Sequence, residues 1–523
     1  MSKFKTLKLL ILFTFIAVNF VSISASQPTT VWLIHFNDLH GKVFPYKTAR
    51  FGGVEKEFSA LTGLAQALLK LRFEAAFKGI KTAFICAGDI WQGTLLGTLT
   101  GGKAIAKLLN RMDMEVSTLG NHEFDLGKNA TEKFINTCNF PFVVDNIDGL
   151  PVDKWLVKTY GNVKVGFLGI APLELPEVVC KESLEGIKFY PEVFKILNKY
   201  VKLLRNKLKV NAVILISHAG TKVDRIIAKK VPGIDVIIGG HDHTPSGPEF
   251  VGNTLITDCS PYGTMFGIVE LKFDNNGKLI KKSGWHEWLY ASKYPPRFSF
   301  LEFAKKLEKS VEPLKNRYIC TLKEPLFNDL AENAPARFVH YVNINGEKEP
   351  IETNFGNLVC DAIRAKFGVD IAFQNKGGIR ITLKKGDVTY ADMFEAFPFE
   401  NFIVILKMTG KEIKQVLEQG LTFKKGAIDF SGLKVWVDLS KPEFQRVVKV
   451  TLLNGEELKE DKVYTVALNN FLAGGGDYFK IFAKIKNRKS LPNRLRETVI
   501  DFIKGKKDLV YEIDGRYIVV NEK

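Results

Sequence analysis

A layered α/β protein built in two halves is what this chain predicts, on three observations. Five β-branched apolar runs lie in the first half, each bounded by turn residues. Helical patterns fall between some of them. A Pro-Pro step and an amphipathic stretch then separate this half from a second mixed α/β region.

The runs are 31–36, 82–87, 163–170, 210–217 and 235–239. Continuous apolar runs of this length read as strands buried on both faces. Residues 60–71 and 193–208 carry helical patterns. Together they predict an α/β domain over 28–294. Pro295 and Pro296 break the chain, and Phe300, Phe303, Ala304, Leu307 and Val311 follow at helical spacing. That spacing predicts an amphipathic helix of about four turns, ending near Pro313. It is read as a connector over 295–317, followed by a second domain over 318–523.

Size and composition agree with this layout. The chain has 523 residues, room for two large domains or about three of roughly 150 residues. Hydrophobic residues make up 46% and charged residues 25%, which excludes a disordered chain or a membrane bundle. Lys plus Arg number 74 against 57 Asp plus Glu, a net charge of +17. Such a field draws anions. The lysines are spread along the chain without a marked cluster, so no nucleic-acid partner is expected.

Lys3, Lys5 and Lys8 precede an apolar run over 9–21, and Ser22, Ser24, Ala25 and Ser26 follow. This is a signal-peptide pattern over 1–26, cut near Ala25 or Ser26. The run is shorter than the roughly 20 residues that a spanning helix needs. An uncleaved anchor is the alternative. The mature protein is expected to be exported, periplasmic or extracellular, with no membrane span. Six cysteines are too few for a disulfide scaffold, and no C-x-x-C occurs. Cys86 reads as a buried free thiol; one or two bridges among the others stay open.

The chemistry stands at the ends of the runs. Asp38 and His40 follow the first, and Asp89 the second. Asn121, His122 and Asp125 follow a short apolar stretch. His218 ends the fourth run, and His241 and His243 follow the fifth. Ligands in open α/β sheets bind beyond the carboxyl ends of strands. Imidazole with carboxylate and amide oxygen suits Zn, Mn or Fe rather than Ca. Asp38, His40, Asp89, Asn121, His218, His241 and His243 are more donors than one tetrahedral ion uses. Two divalent ions sharing a carboxylate fit better, an arrangement that clamps displacement at phosphorus.

The order D-x-H, G-D, G-N-H-E, H, G-H-x-H resembles the calcineurin-like metallophosphoesterases. N-H-E-F-D with G-G-H-D-H resembles their 5'-nucleotidase branch, of the bacterial UDP-sugar hydrolase type. The resemblance implies a four-layer α/β/β/α domain. It gives one ion Asp38, His40, Asp89 and His243, and the other Asp89, Asn121, His218 and His241, so that Asp89 bridges. Many bacterial relatives have Gln where His243 stands. His122, paired with Asp125, would face the scissile phosphate as a charge stabiliser. Water activated by the ions would be the nucleophile.

In the second half, residues 375–380, 397–401 and 470–477 form Gly-rich or aromatic turns. Glycines permit close backbone approach to a ligand, Arg binds phosphate as a fork, and exposed Phe can stack on a base. With the stretch 352–358, these resemble the 5'-nucleotidase C-terminal domain, a mixed α/β substrate-binding module. The resemblance implies that Phe399 and Phe471 stack the base, Asn375 contacts it, Asp477 holds the ribose hydroxyls and Arg380 the phosphates, with Gly378 in the same turn. Two positions depart from the family. Lys376 replaces a glycine and could add a phosphate contact or narrow its loop. An Arg before the Glu-Thr-Asn motif is missing, and Lys348 is the candidate replacement.

The expected function is that of a secreted two-metal phosphohydrolase acting on nucleotides. Monophosphates, di- and triphosphates and UDP-sugars all fit as substrates. The alternatives are a 2',3'-cyclic-nucleotide phosphodiesterase of the same superfamily and a non-catalytic nucleotide-binding protein. Oligomeric state is not legible.

Overall fold

Val31, Leu33 and His35 alternate along the first strand with Trp32, Ile34 and Phe36, and both sets are buried. A strand buried on both faces must lie in a covered sheet, and the computed structural model shows two such sheets. It describes residues 28–48, 54–179, 181–329 and 334–521. The expected export segment and Cys180 lie outside the described residues.

Strands β1 (Thr29–Phe36), β2 (Lys81–Cys86) and β3 (Val116–Ser117) run parallel. In the second sheet, β4 (Leu156–Tyr160) pairs antiparallel with β5 (Val163–Ile170). β6 (Ala212–Ser217) and β7 (Val236–Gly239) continue parallel to β5. β8 (Ser246–Val251) and β9 (Thr254–Asp258) complete it. β10 (Met265–Phe273) and β11 (Leu279–Trp288) return to the first sheet beside β1, giving the order β11-β10-β1-β2-β3. Val31, Leu33, Ile85, Val165, Ile214, Val236 and Leu255 form one apolar layer between the sheets. Helix α1 (Ala60–Phe77) covers the outer face of the first sheet. Helices α2 (Val193–Lys202) and α3 (Thr221–Lys230) cover that of the second. The expected four-layer α/β/β/α architecture is therefore present.

In the second half, β12 (Ile371–Gln374), β13 (Phe402–Thr409), β14 (Asp429–Ser431), β15 (Val463–Asn469) and β16 (Arg488–Arg494) form a sheet of order β14-β12-β15-β13-β16. The helix Asn354–Phe367 packs on it, its N-terminus capped by Thr353. Arg516 is buried and bound to Asp361 and Asp514, tying the C-terminal segment to this helix.

Three expectations change. The pattern over 193–208 is α-helical only to Lys202; residues 203–207 form a wider π turn, from whose Arg205 the guanidinium reaches Gly233 O and Asp235. The amphipathic helix runs Phe298–Glu308, about three turns, and Pro313 opens a separate short helix, Glu312–Lys315. The five described cysteines, Cys86, Cys138, Cys259, Cys320 and Cys360, are all unpaired thiols. No helix among the described residues is long and apolar enough to cross a membrane.

The helix Phe298–Glu308 is not a free strut. Phe300 and Ala304 are buried, and the helix packs on α1. They belong to an apolar cluster that runs from Trp91 and Leu95 in the first half to Phe355, Phe394 and Phe397 in the second. Phe300→Ala is therefore expected to destabilise the protein by about 3 kcal/mol, read as a lower urea midpoint. An unchanged midpoint would show this helix to be a solvated linker.

Candidate active site

The turns after β1, β2 and β7 aim polar side chains at one point. Asp38 and His40 (both φ 48°), Asp89 (φ 53°), His241 (φ 93°) and His243 (φ 56°) all adopt the left-handed region. That conformation costs a non-glycine residue on the order of 1 kcal/mol, and such residues cluster at functional sites.

Donor atoms of Asp38, His40, Asp89 and His243 lie within 4.8 Å of one another. His243 Nε2 is 3.2 Å from Asp38 Oδ1, and His40 Nε2 is 2.8 Å from His243 Nε2. His218 Nε2 stands 3.2 Å from Asp89 Oδ2 and 3.8 Å from Asp38 Oδ1. Burial opposes charge on His218, but Asp89 and Asp38 outweigh it and push its pKa up to about 10. Burial likewise opposes ionisation of Asp89, yet the surrounding His218, His122 and His40 hold its carboxyl well below the usual range. Asp38 Oδ1, Asn121 Oδ1 and His218 Nε2 are buried without a hydrogen-bond partner. Buried polar atoms are rarely left unsatisfied. Oxygen and imidazole donors converging in this way fit divalent cations. His241 belongs to the same cluster by its ring contact with His218, and its Nε2 lies 3.2 Å from Glu174 Oε1.

His122 sits at the rim. Its Nδ1 is 2.8 Å from Asp125 Oδ2, and its backbone N–H donates to Asp89 Oδ1. Burial lowers the pKa of the imidazole, but Asp125 and Asp89 overcome this and leave it raised. The ring stacks on Phe399 of the second half, centroids 5.4 Å apart.

A cavity of about 760 Å³ joins the two halves. All the sequence-predicted site residues line it except Asp38, His40 and His218, which lie behind Asp89 and His243. Asn375, Gly378, Arg380, Phe399, Phe471 and Asp477 face Asp89, Asn121, His122 and Asp125 across it. Asn375 Nδ2 donates to Asp477 Oδ2 at 2.7 Å, and Asp477 itself is left-handed (φ 50°). The Phe471 ring covers Gly476, where a Cβ would come within 2.4 Å of it.

Both departures resolve differently from expectation. Lys376 turns away from the cavity and is buried in an ion pair with Asp429, each side chain 1% exposed. Lys348 lies on an edge ribbon over the Tyr341 ring and does not line the cavity. Lys425 and Arg494 do line it, as do Asp329 and Glu400; sequence reasoning missed all four. It also missed two organising residues. Glu123 accepts N–H groups from Asp89, Ile90 and Gly120. Asn37 binds Asp38 Oδ2, Asp258 Oδ1 and the backbone of Cys259. Glu123 was visible within N-H-E-F-D; Asn37 gave no signal.

This geometry is that of a metal-dependent phosphoesterase with a ligand cleft between domains. Residues 31–245 match the family described as calcineurin-like phosphoesterase. Residues 339–484 match that described as 5'-nucleotidase, C-terminal domain. A trifunctional nucleotide phosphoesterase of Bacillus subtilis is 30% identical over 77% of this chain, which spans 30% of that protein. A snake venom 5'-nucleotidase of Crotalus adamanteus is 27% identical over 93% of this chain and 88% of its own. The crystal structure of a 5'-nucleotidase precursor from Thermus thermophilus superimposes with a TM-score of 0.80 at 28% identity, covering 94% of this chain and 100% of that one. The chain thus belongs to the 5'-nucleotidase family, whose members are metal-dependent phosphoric ester hydrolases.

Two substitutions check the geometry. A Cβ on Gly120 would sit 2.1 Å from Asp89 Oδ1. Gly120→Ala should therefore displace that carboxylate and cut activity by about 100-fold, with bound metal reduced. Lys376→Met should lower stability by about 3 kcal/mol, because it strands Asp429 as a buried unpaired charge. Its KM for substrate should not change; a raised KM with unaltered stability would return Lys376 to the phosphate site.

Proposed function

We propose that this protein is an exported 5'-nucleotidase that hydrolyses nucleotide phosphate esters with two divalent metal ions. The observation behind this reading is the shared cavity. The His122–Asp125 pair and the carboxylate–imidazole cluster form one wall, and Asn375, Arg380, Phe399, Phe471 and Asp477 form the other. Asp38, His40, Asp89 and His243 would hold one ion; Asp89, Asn121, His218 and His241 would hold the second. Such ions polarise phosphoryl oxygens and lower the pKa of water.

The protein's own groups do the rest. Asp125 orients His122 and favours its cationic form, whose charge stabilises the phosphoryl oxygens as they gain negative charge. Arg380 binds phosphate, Asp477 the ribose hydroxyls and Asn375 the base. Phe471 offers a stacking face. Phe399, stacked on His122 in this arrangement, has to part from it before both rings can grip a base. Arg380 and Lys425 place positive charge on the cavity wall, while Arg494 is paired with Glu400; the two cations support a second phosphate, and so UDP-sugars, among the substrates.

The test is phosphate release from nucleoside mono-, di- and triphosphates, cyclic nucleotides and UDP-sugars, with and without chelator. Release from nucleotides should stop on chelation and return with Zn²⁺ or Mn²⁺. His122→Asn should lower kcat by about 10³-fold at unchanged metal content. Phe471→Ala should raise KM for nucleotides about tenfold, from the stacking lost, and leave a small aryl phosphate ester unaffected. Metal-independent release, or equal losses on both kinds of substrate, would sink this reading.

A further inference from the structure

Between the two sheets of the first half, two imidazoles and a thiol interrupt the apolar layer. Val31, Leu33 and His35 point into it from β1, and Leu255, Thr257 and Cys259 share one parity from β9 onward. His35 pairs in register with Gly267 on β10, and Gly267 pairs with His286 on β11. The two histidines thus flank a glycine across three adjacent strands. The glycine is required: a Cβ there would lie 2.2 Å from His35 Nε2. From the facing sheet, Cys259 Sγ comes within 3.6 Å of His35 Nδ1, and Thr257 Oγ1 within 2.7 Å of His286 Nε2. One donor atom from each of His35, Cys259 and His286 lies within 4.8 Å of the other two.

We propose that His35, Cys259 and His286 form a separate, mononuclear site for a zinc-class cation that joins the two sheets. Zinc–sulfur and zinc–nitrogen bonds place a thiolate and an imidazole nitrogen about 3.5 Å apart on a tetrahedral ion, close to the 3.6 Å separation of Cys259 and His35. Drawing in the third donor takes a movement of about 1 Å by these bond lengths. His286 can make it, because it lies on the edge strand β11 and is only partly buried. It is also the route by which an ion enters, since His35 and Cys259 are fully buried. A water completes four donors, since Thr257 Oγ1 lies 3.4 Å from the other ring nitrogen, His35 Nε2.

The protonation states suit this. Burial, reinforced by His286, lowers the pKa of His35 to about 3, and burial lowers His286 to about 4. Both rings are neutral, with a lone pair to give. The thiol of Cys259 is pushed well up by burial, so it binds by giving its proton to solvent as the sulfur–metal bond forms. Burial pushes the carboxyl of the adjacent Asp258 well up, and Asn37 holds its Oδ1, so the negative charge at the site is that of the Cys259 thiolate.

Sulfur makes the test specific, because among the described residues no cysteine belongs to the Asp38–His243 cluster. The full-length protein is produced in Co²⁺-supplemented medium, and its near-ultraviolet spectrum and metal content are measured. A thiolate-to-cobalt charge-transfer band is expected in the unaltered protein and in Cys138→Ala. Cys259→Ala should abolish it and hold one fewer ion per chain. His286→Gln, at a partly exposed position that tolerates change, should weaken the band at least five-fold at the same cobalt concentration. A cobalt-loaded protein without the band, or a band that survives in Cys259→Ala or at full strength in His286→Gln, overturns the proposal. These readouts are independent of nucleotide hydrolysis.

Discussion

Everything at the carboxylate–imidazole cluster depends on two sheets ending at the same level. Strands β1, β2 and β3 run parallel in one sheet, and β5, β6 and β7 in the other. Their carboxyl ends meet, and the turns beyond them carry the donors. Two residues hold those ends together through backbone contacts. Glu123 gathers the N–H groups after β2 and before its own turn, and Asn37 ties the end of β1 to the end of β9. Left-handed backbone at five donor positions is tolerated because these bonds over-determine the turns.

The donors were legible because histidine, aspartate and asparagine are conspicuous after apolar runs, and strand polarity is implied by the α/β alternation. Glu123, although inside N-H-E-F-D, and Asn37 were not assigned, because a side chain that ties down backbone groups needs no partner residue type at a fixed spacing. Lys376 shows a different limit. A cation in a Gly-rich turn suggests an anionic ligand, but its direction is set by Asp429, 53 residues further along the chain. Likewise the apolar stripe at 298–308 showed that the helix buries one face; only the fold shows that α1 receives it.

Chemistry and recognition touch directly here. His122 belongs to the wall that would handle phosphate, yet its ring lies against Phe399 of the opposite wall, which in turn stands near the Arg380 guanidinium. The Gln92 side chain donates to Pro398 O next to it, and Lys42 pairs with Glu395. The turn at 397–401 is thus anchored to the first half as well as its own, so that a change in one wall is felt in the other.

The apolar cluster that runs unbroken from Trp91 and Leu95 to Phe394 and Phe397 bears on how such a chain can be inherited. Two modules joined by a wet linker can be exchanged freely by recombination. Here the seam is an oily interior shared by both partners, and a half taken alone would present that interior to water. A new specificity half could be grafted onto this phosphoesterase half only if its seam residues came as a matched set. Substrate range should therefore drift by substitutions within the cleft more readily than by wholesale exchange of modules.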